Sequence, residues 1–423
     1  MNILILGSGA REHVLAWKLT QSKKAGRIFA GPGNAGTAAA GTNLAIDPCR
    51  FGQVRDAVLA NDIGMVIAGP EAPLVAGIHD YFLSDPLLKN IPLIGPCRSA
   101  ARLEGSKDFA KAFLMRHGIP TSRYRTFNRA TAHEVPEFLA TLRSPYVIKA
   151  DGLAAGKGVL IIDDINEAAA EVNAILDGKF DSAGEKVVVE QFLKGIELSA
   201  FILTDGKSWK LLPEAKDYKR AGSGDTGLNT GGMGAVSPVP FAGKEFMDKV
   251  RDRIIEPTMR GLAEEGIVYT GFLFFGLMNV DGDPYVIEYN VRMGDPEAEV
   301  VIPRIKSDLL DLLEGVAEGN LSERSLETDS RFVTTVMLVS GGYPGSYKNG
   351  MEITGLEKTS DCAVFHAGTK AEGERLLTSG GRVLAVSSWG KSLNEALEGS
   401  YSNAAQISFA GMYYRKDIGF DLK

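Results

Sequence analysis

A multidomain α/β and α+β protein is predicted, with an open parallel α/β sheet at the N-terminus, a central phosphate-holding domain and a small α+β domain at the C-terminus. Three observations predict it. Strand-like and helix-like stretches alternate through residues 1–105, with small residues after each strand, as in a parallel sheet. Residues 146–159 read YVIKADGLAAGKGV, a strand that runs into a glycine loop with two lysines and out into a second strand, VLIID. The chain then closes on short strands (FVTTVMLVS, AVFHAGTK, GRVLAVSS) and one helix, SLNEALEGSYSNAAQI. A length of 423 residues exceeds what a single core usually serves. The expected division is 1–105, 106–325 with a flap at about 124–193, and 326–423.

The N-terminal elements follow in order: NILILG, the helix REHVLAWKLTQ, RIFAG, the helix FGQVRDAVLAN, MVIAG, a helix around PLVAGIHDYFL, and IPLIG. Ligands of an open parallel sheet sit at the carboxyl ends of its strands, here residues 7–13, 31–36, 69–74 and 95–96. SAARLEGSKDFAKAFLMRHGIPT predicts one linking helix stopped by Gly118 and Pro120. GIELSAFILTDGKSWKLLPEAK predicts a hairpin turned by DGK, and GFLFFGLMNV with PYVIEYNV another turned by DGD. Between them, residues 214–235 hold six glycines and no periodicity, which reads as a long loop. A helix at MDKVRDRIIEPTMRGLAEEG follows it.

Composition narrows the function. With 44% hydrophobic and 23% charged residues the chain is ordinary globular protein, and a net charge of −7 argues against nucleic acid or an anionic membrane as partner. Any nucleotide must be met by local lysines and arginines. Cys49, Cys97 and Cys362 form no C-x-x-C pair, so no disulfide frame or zinc site is expected, and a reduced compartment is. The short apolar run of MNILILGSGA has no basic residue before it, unlike a signal peptide. A cytoplasmic protein is therefore expected, and no apolar stretch approaches the ~20 residues of a membrane span.

Four motifs carry chemistry. In the glycine loop, Gly152, Gly156 and Gly158 let backbone N–H groups approach an anion, while Lys149 and Lys157 supply compact charge. It is not a Walker A motif, because Gly158 stands where Ser or Thr should hold magnesium and a strand follows instead of a helix. GSGAREH at 7–13 lacks the third fingerprint glycine, which is Glu12. A glycine turn feeding a helix N-terminus still makes an anion site, with Arg11 adding charge, or else it is a tight turn with no ligand. His13 is the only histidine near a motif; His79, His117, His133 and His366 read as surface or core residues.

In VIEYNVR, strand alternation puts Glu288, Asn290 and Arg292 on one face. Glu and Asn are hard oxygen donors suited to Mg²⁺ bridged to phosphates, and Arg292 can clamp a carboxylate or phosphoryl group; the plain alternative is a solvated face. KVVVEQFLKGIELS places Glu190 and Glu197 where a purine and a ribose could be met, although such a run is ordinary sheet core when taken alone. The 214–235 segment, with Lys216, Asp217, Lys219, Arg220 and Asp225, reads as a cationic lid over an anion or as a surface excursion.

Taken together, these stretches resemble the ATP-grasp superfamily and, within it, the phosphoribosylamine-glycine ligases. The pieces that carry the resemblance are GSGAREH, GPGNAGT, GPEAPL, VIKADGLAAGKGV, VVVEQFLKGIELS, KDYKR…NTGGMGA, EYNVRMGDPE and SGGYPG. Four positions depart from the family's usual pattern: Ala10 for Gly, Gln191 for a second glutamate, Tyr218 for His, and SGDTGLNTGG for D-G-D-x-G-P-N-T-G-G.

The resemblance implies a pre-ATP-grasp domain, an ATP-grasp domain and an accessory domain, using ATP with Mg²⁺ or Mn²⁺. It implies phosphate contacts from Lys107, Lys149, Gly152, Gly156, Lys157 and Gly158. Adenine would meet Glu190, Phe192 and Leu193, ribose Glu197, and the metal Glu288 and Asn290. Phosphoribosylamine would lie against Gly9, Arg11, Glu12, His13, Gly33, Asn34 and Glu71. Glycine and the phosphoryl group would face Asp217, Lys219, Arg220, Asn229, Arg292, Gly294 and Asp295, with Lys149, Asp217 and Arg292 acting catalytically. The implied reaction activates glycine as glycyl phosphate for attack by 5-phosphoribosylamine, in a monomer or weak dimer whose partners are small molecules. Rival readings are another ATP-grasp ligase or carboxylase, an ATP-binding regulator without catalysis, and a nucleotide-dependent oxidoreductase. The last would need an acidic residue after RIFAG.

Overall fold

The computed structural model describes residues 1–153 and 158–422. Strands β1 (Asn2–Gly7), β2 (Ile28–Pro32), β3 (Thr42–Asn43), β4 (Ile63–Ala68) and β5 (Leu93–Ile94) form one parallel sheet in the order β3-β2-β1-β4-β5. Ile3, Leu4, Ile5 and Leu6 are all buried, because helices cover both faces of such a sheet. The strand order reverses between β1 and β4, so the turns after these two strands open a crevice. Helix α1 (Ala10–Leu19) starts at that crevice.

Two expected helices are each broken in two. The one around residues 73–83 is Glu71–Ala76 and Ile78–Ser84, turned at Gly77 with φ +97°. The linking helix is Arg98–Gly105 and Lys107–Arg116. Ser106 is extended at φ −140° and its hydroxyl caps the second helix by accepting the Phe109 N–H at 3.1 Å. Asp151 accepts the Ser106 hydroxyl at 3.0 Å and the Asp108 N–H at 2.8 Å, tying that cap to the glycine loop. Apolar periodicity runs through the break, which is why the sequence concealed it.

The flap is an antiparallel sheet of β6 (Tyr124–Phe127), β7 (Tyr146–Ala150), β8 (Val159–Ile162) and β9 (Val187–Gln191), in the order β6-β9-β7-β8. β7 and β8 pair directly, Lys149 opposite Val159, so the glycine loop closes a hairpin as its strand-loop-strand setting predicts. Gly156 and Lys157 lie outside the described residues.

β10 (Ile196–Thr204) and β11 (Trp209–Leu211) form the hairpin expected at DGK. The segment after it is not a long loop. It contains β12 (Lys216–Asp217), β13 (Arg220–Gly222), β14 (Thr226–Asn229) and β15 (Gly234–Ser237). β13 and β14 make their own hairpin, while β12 and β15 extend the C-terminal sheet. That sheet is out of reach of local periodicity, since β15 pairs with β18 (Phe332–Val339) far along the chain. β16 (Gly271–Val280) and β17 (Asp283–Asn290) complete the sheet β11-β10-β16-β17. β19 (Cys362–His366), the hairpin β20 (Thr369–Glu372) and β21 (Arg375–Thr378), and β22 (Arg382–Gly390) follow, giving a C-terminal sheet ordered β12-β15-β18-β22-β19 under the helix Leu393–Ala404.

Burial divides the molecule differently from chain order. One core joins Ile3, Ile5 and Val14 to Phe201, Met293, Leu309, Val333 and Phe365, so the N-terminal, central and C-terminal parts share it. The flap has its own, built on Phe127, Val135, Phe138, Ile148, Val172, Val187 and Val189. Among the described residues no helix is long and apolar enough to cross a membrane.

Candidate active site

β7, β9 and the helix Lys107–Arg116 hold a buried trio. Lys149 Nζ lies 2.9 Å from Glu190 Oε1, and Lys111 Nζ lies 2.7 Å from Glu190 Oε2. The first is an ion pair without good hydrogen-bond angles, since Oε1 accepts no bond; Oε2 also accepts the Ser122 hydroxyl at 2.6 Å. Burial pushes the Glu190 carboxyl up, but Lys149 and Lys111 outweigh it and hold it at about 2. Burial lowers Lys111 to about 8, so both partners are charged at neutral pH. Glu190, expected at the adenine, is therefore the counter-ion of two lysines. Phe192 and Leu193 follow it, half-buried in the hinge before β10. Lys107 reaches the loop from below, donating to the Gly152 carbonyl at 3.0 Å.

β17 carries the acidic centre. Gly276 sits opposite Glu288, and a bulge follows, because Leu277 pairs with Val286 and leaves Ile287 extra. Lys149 donates to the carbonyl of that extra residue at 3.2 Å. A Cβ on Gly276 would meet Glu288 Cγ at 2.9 Å, so the glycine makes room for the carboxylate. Burial raises the Glu288 carboxyl, and Lys219, Lys149, Lys107 and Arg292 more than reverse it, leaving it below the usual range. Asn290 is buried and its Nδ2 has no partner.

A carboxylate amid cations and the side-chain oxygen of Asn290 are hard donors that fit a divalent cation shared with phosphates, and the partnerless Nδ2 is left to donate to a phosphate oxygen. Among the described residues no group of three His, Cys, Asp or Glu side chains could hold a metal unaided. Phosphate oxygens would complete the shell.

Arg292 lies just past β17 and links it to the N-terminal domain. Its Nη2 donates to Glu104 Oε1 at 2.7 Å and its Nε to Glu71 Oε2 at 3.3 Å. Glu104 also accepts the Val291 N–H at 2.7 Å, and burial holds its carboxyl up at about 7 in spite of Arg292. The Met293 carbonyl accepts from Arg292 at 3.3 Å and from Arg11 at 3.1 Å.

Several residues expected at phosphoribosylamine prove committed to holding the crevice together. Glu12 caps the Gly9 N–H, pairs with Arg11 at 2.7 Å and fills the space that Gly69 leaves, where a Cβ would come within 2.0 Å of Oε1. Asn34 caps Gly36 and Thr37 through Oδ1, while its Nδ2 donates to the Ser8, Gly9 and His366 carbonyls. Gly33 takes φ +72° between them and donates to the Gly7 carbonyl at 3.0 Å. His13 Nδ1 accepts the His366 N–H at 2.8 Å, and burial together with His366 lowers its pKa to about 3. It is a neutral strut at a domain contact.

On the opposite wall, alternation along 216–220 aims Asp217 and Lys219 inward. Lys219 Nζ lies 2.8 Å from Glu197 Oε2. Burial and the nearby Glu297 push the Asp217 carboxyl well up, and its Oδ1 is buried without a partner. Glu297 accepts the Ser199 hydroxyl at 2.9 Å and closes over Gly294. Asp295 Oδ1 lies 3.0 Å from Arg382 Nη2, and Arg382 Nη1 donates to the Asp295 carbonyl at 2.6 Å. Arg220 and Asn229 instead face each other across the β13–β14 hairpin, where Arg220 donates to the Gly227 carbonyl at 2.9 Å.

Lys111, Glu104, Glu297, Arg382 and His366 were missed as site residues. Lys111 was findable, since it stands four residues after Lys107 on the same helical face. Arg382 and His366 come from the C-terminal sheet and give no local signal.

Models of phosphoribosylglycinamide synthetase match the chain in three consecutive parts: the N domain at 1–104, the ATP-grasp (A) domain at 105–298 and the C domain at 333–421. The chain belongs to this family. The phosphoribosylamine-glycine ligases of Pseudomonas aeruginosa and Salmonella typhimurium are each 46% identical to it, covering 99% of this chain and 98% of theirs. The crystal structure of the Thermotoga maritima phosphoribosylamine-glycine ligase superposes with a TM-score of 0.85 at 35% identity, over 99% of this chain and 100% of that one. The biotin carboxylase domain of Hydrogenobacter thermophilus 2-oxoglutarate carboxylase, in complex with MgADP and bicarbonate, shares the fold at a TM-score of 0.73 and 16% identity, over 97% of this chain and 91% of that one. The ATP-grasp architecture and an ATP-dependent ligase class are thereby shown for the chain, and the family's chemistry uses ATP with a divalent metal.

Proposed function

We propose that the protein ligates glycine to 5-phosphoribosylamine, forming glycinamide ribonucleotide, ADP and phosphate through glycyl phosphate. The observation that carries this reading is the Glu288 carboxylate, ringed by Lys107, Lys149, Lys219 and Arg292 and linked through Arg292 and Glu71 to the glycine turns of the N-terminal sheet. A phosphoryl donor and a phosphorylated amine would meet on that line.

In this reading ATP lies between flap and β17, with adenine along 190–193 and ribose near Glu197. Lys149 and Lys107 spread charge over the phosphates. Glu288 and Asn290 would hold a divalent cation, Mg²⁺ or Mn²⁺, which when bound withdraws charge from the γ-phosphoryl group. A glycine carboxylate oxygen attacks that phosphorus and ADP departs; the phosphoribosylamine nitrogen then attacks the carbonyl carbon, loses a proton, and phosphate leaves. No protein nucleophile is required, because the carboxylate is itself one, and catalysis lies in positioning and charge stabilisation.

The partnerless Asp217 Oδ1 beside Glu297 suits the ammonium group of glycine, while Arg292 faces the phosphoryl group. Gly9, Arg11 and Glu71 flank phosphoribosylamine at the carboxyl end of β1. Flap closure would keep water from the acyl phosphate. The same reading makes the protein cytoplasmic, a monomer or weak dimer whose partners are small molecules, in keeping with three free cysteines.

The test is ADP release by the purified protein with ATP, metal, glycine and fresh phosphoribosylamine. Release that needs both substrates and ignores bicarbonate is expected. Release driven by bicarbonate would favour the carboxylase reading.

A further inference from the structure

The last residues of the chain grip the back of the segment whose front faces the acidic centre. Along 216–220, Asp217 and Lys219 point into the cleft, so Lys216 and Tyr218 point out. Tyr218 is 1% exposed, and its hydroxyl donates to Asp421 Oδ1 at 2.8 Å. Lys216 Nζ pairs with Asp421 Oδ2 at 3.1 Å and sits 4.0 Å over the Tyr218 ring. Arg415, fully buried, lies 5.3 Å from the centroid of that ring and donates to the Arg220 carbonyl at 3.1 Å. It also binds Asp225 Oδ1 at 2.6 Å and both oxygens of Asp417, whose Oδ2 accepts the Gly224 N–H at 2.7 Å. Tyr413 donates to the Ala221 carbonyl at 3.0 Å.

Tyr413, Arg415, Asp417 and Asp421 of the tail thus hold one short strand and the hairpin after it. A side chain clamped on one face of a strand fixes the register, and with it where the other face points. A fully buried guanidinium that binds Asp417 of the tail on one side and the Arg220 carbonyl and Asp225 of the hairpin on the other keeps their spacing rigid.

We propose that Asp421 and Arg415 are positioning residues for ligation: through Tyr218 and the 220–225 backbone they set the place of Asp217 and Lys219, and so the affinity for glycine. The inference rests on the reading above that Asp217 faces glycine.

The experiment compares Tyr218→Phe, Asp421→Asn and their double variant with Asp217→Asn, reading KM for glycine, KM for ATP, kcat and thermal midpoint in the full chain. A hydrogen bond between a phenol and a carboxylate predicts about a tenfold rise in KM for glycine in each single variant. KM for ATP should rise less than KM for glycine, because of the two residues only Lys219 meets the nucleotide side, at Glu197, and the double variant should be no worse than either single one. Tyr218→Phe keeps the ring in place, so it remains informative if Asp421→Asn folds poorly. Unchanged KM for glycine in both single variants, or equal rises for glycine and ATP, overturns the clamp. If Asp217→Asn alone leaves glycine kinetics untouched, the glycine assignment fails instead.

Discussion

In the proposed reading, Glu288 is the residue on which ligation depends most. It takes no hydrogen bond from the described residues, and four cations hold it ionised. Glu288→Ala should fold, lower kcat at least about a hundredfold and weaken metal-dependent ATP binding; near-normal turnover would remove it from the metal site. Lys111 differs, since its ammonium neutralises a fully buried Glu190. Lys111→Met leaves Lys149 facing Glu190 alone and should cost about 3–5 kcal/mol of unfolding free energy. Chemical denaturation decides it, and an unchanged midpoint would show that Lys149 suffices.

Elements show what the sequence could and could not reveal. The β7–β8 hairpin and the β16–β17 hairpin were legible, because alternation and turn residues are local signals. The bulge at Ile287 was not, though it hands a carbonyl to Lys149 and leaves Gly276 against Glu288. Gly276→Ala should push Glu288 aside and raise the metal requirement for ATP binding about tenfold, with the fold intact by circular dichroism. An unaltered metal titration would show that the strand absorbs the methyl group. β12 and β15 were hidden for another reason. Their glycine-rich surroundings look irregular until the distant β18 supplies a pairing partner. The roles of Glu12 and Asn34 were likewise invisible, because a cap and a ligand contact ask for the same residue types.

At the scale of the molecule, one core joins three parts while the flap keeps its own, tied to β17 through Lys149 and to the helix Lys107–Arg116 through Glu190. The N-terminal and C-terminal parts meet at His13 and His366, held neutral at about 3 and about 4, the first by burial and its neighbour, the second by burial. In the unfolded chain both titrate near ~6.5. The unfolded state therefore binds more protons as pH falls below that value, and stability present above it is lost towards the folded pKa values. The slope should be about 2 kcal/mol per pH unit between about pH 6 and 5, roughly half from each histidine. His13→Gln should about halve it, leaving the part due to His366; an equal slope in the variant would mean that carboxylates set the acid limb.

The central claim is that glycine's own carboxylate attacks ATP within this cleft. Turnover with glycine labelled with ¹⁸O in its carboxylate tests that most directly, read by mass spectrometry of the released phosphate. One labelled oxygen in each phosphate is the predicted result; phosphate that leaves unlabelled would contradict it.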